Sequence, residues 1–230
     1  MTDRSRQTIR TFGRRQARKL SARQDWLVRE RLAQLQVPST GPGELDPSGL
    51  FAPAPDDIWL EIGFGGGEHL VAQAGRHPRT GFIGCEPFID GMAKALGQLE
   101  DGRLDNVRLH MGDARELMRW LRDESLGRVF ILFPDPWPKA RHFKRRLIQP
   151  AFLAELYRVT RPGAEIRFAT DVRNYADGAM AQFLGHGGFD WTARTADDWR
   201  TPPGDHVTTR YESKRLGDID PVWLQFRRIP

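Results

Sequence analysis

Five carboxylates in this chain share one kind of position. Glu61, Glu86, Asp113, Asp135 and Asp171 each stand at or just past the end of an apolar, β-prone run. In a sheet of parallel strands those positions gather on one rim, where functional residues collect. Five acids on one rim repel one another, so stability alone does not account for the set. Capping would account for Glu86 and Asp113 singly, because acids suit a helix N-terminus. A second grouping surrounds Asp135, in the run Phe133-Pro134-Asp135-Pro136-Trp137-Pro138-Lys139. Its prolines fix φ and remove backbone donors, which presents Asp135 and Trp137 on a stiff turn. Lys139, Arg141, His142, Lys144, Arg145 and Arg146 follow as a basic cluster interleaved with Phe143. A carboxylate can accept hydrogen bonds from the N1–H and amino group of guanine, a ring can stack on a base, and cations can hold phosphates. The six histidines show no metal-ligand spacing, and neither an HExxH nor a CxxC pattern occurs, so no metal is expected.

The glycines narrow the chemistry. The run Ile58–Ile62 leads into Gly63, Gly65 and Gly67, and a helical pattern follows. A tight glycine turn exposes bare backbone to a ligand at a helix N-terminus. A dinucleotide fingerprint would need its third glycine at position 68, which is Glu68, so a nicotinamide dehydrogenase is disfavoured. The pattern is acid-x-G-x-G-x-G, with Glu61 two residues before Gly63. It resembles the first motif of Rossmann-like S-adenosylmethionine (SAM) methyltransferases. SAM carries an ammonium and a sulfonium, and a carboxylate at a strand tip suits both. Glu86, 19 residues after Gly67, stands where an acid accepts hydrogen bonds from ribose hydroxyls. Asp113 is placed to reach the adenine amino group.

These residues need a scaffold, and the repeating strand–helix pattern from 58 onward supplies one. Strands are expected at 58–63, 81–86, 107–113, 129–133 and 165–170, with helices at about 67–76, 88–100, 114–122, 149–160 and 172–184. Two antiparallel strands, 189–194 and 222–229, complete the pattern. The fold class is α/β, a mostly parallel Rossmann-like sheet with an antiparallel C-terminal strand and helices on both faces. The domain proper is 58–230. Before it come a basic N-terminal arm with a short helix, 1–36, and a Pro/Gly-rich connector, 37–57. Within the arm, residues 1–31 carry ten Lys/Arg against three acids, a composition suited to RNA phosphates or to a solvated tail. Ser21 is the expected N-cap of a helix over 21–36, with Trp26, Leu27, Leu32 and Leu35 partly apolar.

Composition excludes other classes. The 230 residues, 39% hydrophobic and 28% charged, read as globular, without an apolar run of membrane-spanning length or a secretory h-region. One cysteine, Cys85, cannot make an internal disulfide, which suits a reducing cytoplasm. The net charge of +5 is modest, but it is concentrated in the arm and in the cluster after Asp135.

The motifs together are specific. Asp135-Pro136-Trp137-Pro138-Lys139 with Arg141-His142 and Lys144-Arg145-Arg146 resembles the signature of the bacterial tRNA (guanine-N7)-methyltransferase family. Ile9-Arg10-Thr11-Phe12 with Arg14-Arg15, the segment Thr209–Lys214, and Thr170-Asp171 agree with it. The resemblance implies transfer of a methyl group from SAM to N7 of guanosine 46 in the tRNA variable loop. It implies that Glu61, Gly63, Gly65, Glu86, Asp113 and Asp135 line the SAM site, with Asp135 also catalytic. It implies substrate roles for Lys139, Asp171, Thr209 and Glu212, and RNA contact by Arg141, His142, Lys144, Arg145 and Arg146. tRNA is the expected partner, with no membrane and no obligatory protein partner, in a monomer or homodimer. Pro87 directly after Glu86 departs from the family pattern. The alternatives are another SAM-dependent nucleic-acid methyltransferase, such as an amino-methylating enzyme with Asn/Asp-Pro-Pro-Tyr/Trp at this strand tip, or a non-catalytic RNA-binding α/β protein. The first lacks the Trp137 that separates Pro136 from Pro138. The second leaves the rim of acids unexplained.

Overall fold

The structure, a computed structural model, describes residues 19–230. The Ile9–Arg15 motif lies outside them. Ser21 caps the first helix as its side chain suggests. Its hydroxyl accepts from the Gln24 N–H while the Gln24 side chain accepts from the Ser21 N–H. The helical path runs through α1 (Ala22–Trp26), a π-helical turn Leu27–Arg31, and α2 (Leu32–Leu35). Leu27, Leu32 and Leu35 are buried in the core, whereas Trp26 is exposed. The connector is partly ordered by a short 3-10 turn, Pro47–Leu50, and by a parallel bridge from Leu45 to Leu121.

The strands are β1 (Asp57–Ile62), β2 (Thr80–Cys85), β3 (Val107–His110), β4 (Leu126–Leu132), β5 (Thr160–Thr170), β6 (Phe189–Trp191) and β7 (Val222–Arg228). They form one sheet in the order β3-β2-β1-β4-β5-β7-β6. The first five are parallel; β7 runs antiparallel to both β5 and β6. The order reverses direction between β1 and β4, so the rim there is the expected ligand crevice. α3 (Glu68–Arg76) and α4 (Ile89–Gly102) cover one face with the N-terminal helical segment. α5 (Ala114–Trp120), α6 (Pro150–Val159) and α7 (Arg173–His186) cover the other. A short α8 (Asp197–Arg200) follows β6.

The central strands are apolar on both faces, as parallel strands between helix layers must be. β1 is buried from Ile58 to Ile62, so Glu61 enters the core within its strand. Element ends differ from the sequence expectation where turns intervene. β3 stops at His110 because the chain turns through Met111-Gly112 to make Asp113 the cap of α5. β6 stops at Trp191, and β5 begins earlier than expected, at Thr160.

Candidate active site

The glycine turn follows the end of β1, the strand beside the reversal point, and the Gly63 N–H donates to the Cys85 carbonyl at the end of β2. Gly63 and Gly65 have φ of +73° and +55°, and a Cβ at either would meet open space. The turn therefore offers bare backbone to a ligand, a cradle that side chains would fill. Gly91 serves a different end, since a Cβ there would lie 2.2 Å from the Gly65 carbonyl oxygen. α4 is thus pressed against the turn.

Glu86 fixes the turn from the β2 side. Its Oε2 accepts from the Gly65 N–H at 2.8 Å and its Oε1 from the Phe88 N–H at 2.9 Å. Pro87 has no N–H to give, and the carboxylate reaches past it. Burial raises the Glu86 carboxyl to about 7 despite these two donors, with Asp135 adding to the rise. Asp113 is both the N-cap of α5, accepting from the Arg115 N–H at 3.0 Å, and the partner of the Arg115 guanidinium at 2.7 Å. The capping reading therefore holds at Asp113, whatever else its carboxylate binds. Glu61 is 3% exposed, and its Oε2 accepts from Nδ1 of His69 at 2.7 Å.

The tip of β4 has a strained backbone. Phe133 and Trp137 both take positive φ, 52° and 44°, which non-glycine residues rarely adopt. Such strain clusters at functional sites and persists only where neighbours enforce it. Asp135 lies between them, solvent-exposed by area, with no hydrogen bond or ion pair to any described residue. Partial desolvation raises its carboxyl above the usual range. Trp137 is packed between two members of the basic cluster. The Arg145 guanidinium lies 5.0 Å from its ring, and the His142 ring meets it edge-on at 5.9 Å. Partial burial and then the charges of Arg145, Arg141, Lys139 and Lys144 hold His142 below its usual pKa. Lys139 and, within a short 3-10 helix, Ala140–Arg145, Arg141 and Lys144 are exposed on the same loop.

Arg146, one of the residues expected to contact RNA, parts from this group. It is 6% exposed and turned inward. Its Nε donates to the Pro136 carbonyl at 2.8 Å, its other nitrogens to Asn174, and its guanidinium lies 3.8 Å from the Phe143 ring. It holds the loop rather than facing a phosphate.

The C-terminal residues meet the rim through a different set of contacts. Asp171, at the end of β5, is buried, and its carboxylate accepts from the Gly217 N–H at 2.8 Å. Thr209 and Glu212 cap one another, since the Glu212 N–H donates to Thr209 Oγ1 at 3.2 Å. Glu212 Oε2 also pairs with His206 Nε2 at 2.8 Å. So Asp171 and Glu212 shape the loop that carries Tyr211. The Tyr211 ring lies 5.8 Å from Phe133. Burial raises its hydroxyl pKa, and the charges of Asp171 and Asp135 raise it further. Tyr211 lies within the Thr209–Lys214 segment that the sequence marks, whereas His69, Gln73 and His206 were not singled out. His69 and Gln73 did carry a signal, being polar residues one turn apart on the buried face of α3.

The comparisons with known proteins follow from this geometry. A family model described as a putative methyltransferase matches residues 55–223. A tRNA (guanine-N(7)-)-methyltransferase of Hyphomonas neptunium is 54% identical over 95% of this chain and 99% of its own length. The chain belongs to the bacterial tRNA (guanine-N7)-methyltransferase family. Within this methyltransferase family, the relative of the same name from Caulobacter sp. is 51% identical over 96% of both chains, and that from Rhodospirillum rubrum 46% over the whole of this one. The fold also matches the solved 16S rRNA methyltransferase KamB, with a TM-score of 0.54 at 18% identity over 76% of this chain and 89% of that one. This methyltransferase has no group of three or more potential metal ligands among the described residues, and none of its described helices is long and apolar enough to cross a membrane.

Proposed function

We propose that this protein transfers a methyl group from SAM to N7 of guanosine 46 in the tRNA variable loop. The observation that carries the reading is Asp135, an unpaired carboxylate on a strained turn, next to an open glycine cradle at the sheet's reversal point. SAM, when bound, supplies an electrophilic methyl on a sulfonium. Gly63 and Gly65 give it backbone to rest on, and Glu61, Glu86 and Asp113 are the acids that would receive its ammonium, ribose and adenine. Guanine N7 has a free lone pair and no proton, so no general base is required. The residues' task is to aim that lone pair along the line of the breaking bond, and orientation of this kind removes several kcal/mol of barrier. The purine becomes positive as N7 attacks. A carboxylate fixed beside its Watson–Crick edge stabilises that charge most in the transition state. Asp135 takes this role, with Tyr211 and Asp171 beside it.

The basic loop supports tRNA as the partner. Lys139, Arg141, Lys144 and Arg145 offer phosphate contacts, and Trp137 and His142 offer ring faces. The arm, 1–36, carries further cations of a kind that suits tRNA phosphates, and the domain 58–230 carries the chemistry. We assign a cytoplasmic location, where unmodified tRNA and a reduced Cys85 both occur. The deciding experiment is methyl transfer from labelled SAM to unmodified tRNA, followed by nucleoside analysis. Label in N7-methylguanosine, lost when guanosine 46 is replaced, supports the reading. Label in N6-methyladenosine or another nucleoside overturns it. tRNA binding without SAM binding leaves an RNA-binding protein.

A further inference from the structure

Behind the glycine cradle, Glu61 is tied to the substrate segment by a chain of buried hydrogen bonds. Its Oε2 accepts from His69 Nδ1 at 2.7 Å. His69 Nε2 lies 3.3 Å from the Gln73 amide nitrogen, which also donates to the Asp205 carbonyl at 2.7 Å. The direction of the chain is fixed by its ends. Asp205 presents a carbonyl, so the Gln73 group facing it must be NH₂. The second hydrogen of that NH₂ points at His69 Nε2, which must then be an acceptor, and the proton of neutral His69 sits on Nδ1 facing Glu61. Gln73 Oε1 is left buried without a partner among the described residues. A side chain kept for packing alone would not carry that desolvation cost.

The other end of the chain is the loop that carries Tyr211. Arg76 also donates to the Asp205 carbonyl, at 2.7 Å, and Arg210 pairs with Glu68 at 3.0 Å. His206, whose ring lies 6.0 Å from that of His69, holds Glu212. One face of α3 thus anchors residues 205–212, and the same face orients the acid at the cradle.

We propose that His69 and Gln73 are positioning residues that couple docking of the 205–212 segment to the orientation of Glu61, so that SAM binding and tRNA binding strengthen one another. The proposal rests on the SAM reading of the cradle. Two measurements on the full chain test it. In the wild type, hydrogen exchange across 205–212 should slow at least about threefold on adding SAM, in the range expected for coupled sites. Gln73→Glu separates the two ends. A carboxylate repels the Asp205 carbonyl and reverses the bond to His69, accepting from Nε2 once that nitrogen carries a proton, while the Nδ1–H remains on Glu61. The variant should bind SAM within about twofold of wild type, raise KM for tRNA about tenfold, and lose the SAM-dependent slowing. Equal losses of SAM and tRNA binding would make Gln73 a packing residue and overturn the proposal. If the variant does not fold, the wild-type exchange decides alone: bound SAM with unchanged exchange across 205–212 overturns it. A wild type that does not bind SAM by calorimetry overturns the reading of the cradle as well.

Discussion

The Arg146 guanidinium donates to the carbonyl of Pro136, one residue past the free carboxylate of Asp135. A buried cation thereby holds the strained turn that carries the proposed catalytic group. Lys139, Arg141 and Lys144 of the same basic run face solvent. Replacing Arg146 with Ala should therefore lower stability by about 2–3 kcal/mol, the worth of buried hydrogen bonds from a charged donor. Urea unfolding measures this. Turnover should fall with it, since Asp135 loses its support.

Arg141→Ala and Lys144→Ala should behave in the opposite manner. Both side chains are exposed, so unfolding midpoints should stay within about 0.5 kcal/mol of wild type. tRNA affinity should fall, and the slope of log affinity against log salt should flatten by about one for each. Filter binding over a salt series reads both. An unchanged slope removes these residues from the RNA interface.

Asp135→Asn keeps the shape and removes the charge. The expected loss in kcat is about 10²–10³-fold, the usual effect of removing one preorganised electrostatic group, with SAM affinity much less changed. The Asp135 carboxyl is raised above its usual range, so the acid limb of kcat/KM should lie above that of an ordinary aspartate. Weakened SAM binding with unchanged turnover would make Asp135 a SAM ligand only.

Glu86 gives the free protein a pH-dependent stability. Its carboxyl is raised from 4.5 to about 7 by burial, so between these values the folded state holds a proton that the unfolded state has lost. Stability must then fall as pH rises through that window, by about 3 kcal/mol in all. Glu86→Gln should flatten the fall, as followed by thermal melts from pH 4.5 to 8. If ribose hydroxyls donate to Glu86, SAM binding near pH 7 should release protons. Calorimetry in buffers of different ionisation heats would detect the release.

Trp137→Gly tests the strained turn. Glycine takes φ of 44° without cost, which should gain about 0.5–1 kcal/mol, and losing the Arg145 contact should cost a similar amount. Stability should therefore barely change, while KM for tRNA rises through loss of the ring. A large destabilisation would show that the ring, not the RNA, is what Trp137 serves.

The sheet was legible because its signals are local. Apolar runs, the glycine turn at 63–67 and the proline turn at 134–138 lie within a few residues of the structure they set, and the acids at strand tips follow from that phasing. Pairings across the fold were not legible. Arg145 and Arg146 are adjacent and alike in type, yet the turn of the 3-10 helix sends one to Trp137 and the other inward to Asn174. The same limit hid His69. Its spacing from Gln73 marks a shared helix face, but only the folded loop brings Asp205 to that face. At Asp113 the sequence allowed two readings, and the cap with Arg115 is what the backbone of α5 requires.

Strand β7 lies between β5 and β6, although β6 precedes it in the chain. The outermost strand is therefore synthesised before the strand it must pair with, and it waits for that neighbour to arrive. Residues 192–221 form the loop that must close before β6 can pair with β7, a delay paid in chain entropy. The loop includes Asp205, Thr209, Tyr211 and Glu212. The strands proposed to line the SAM site, β1 to β4, are complete in the chain by residue 132, while the 205–212 segment takes its place only when β7, the last strand made, enters between β5 and β6.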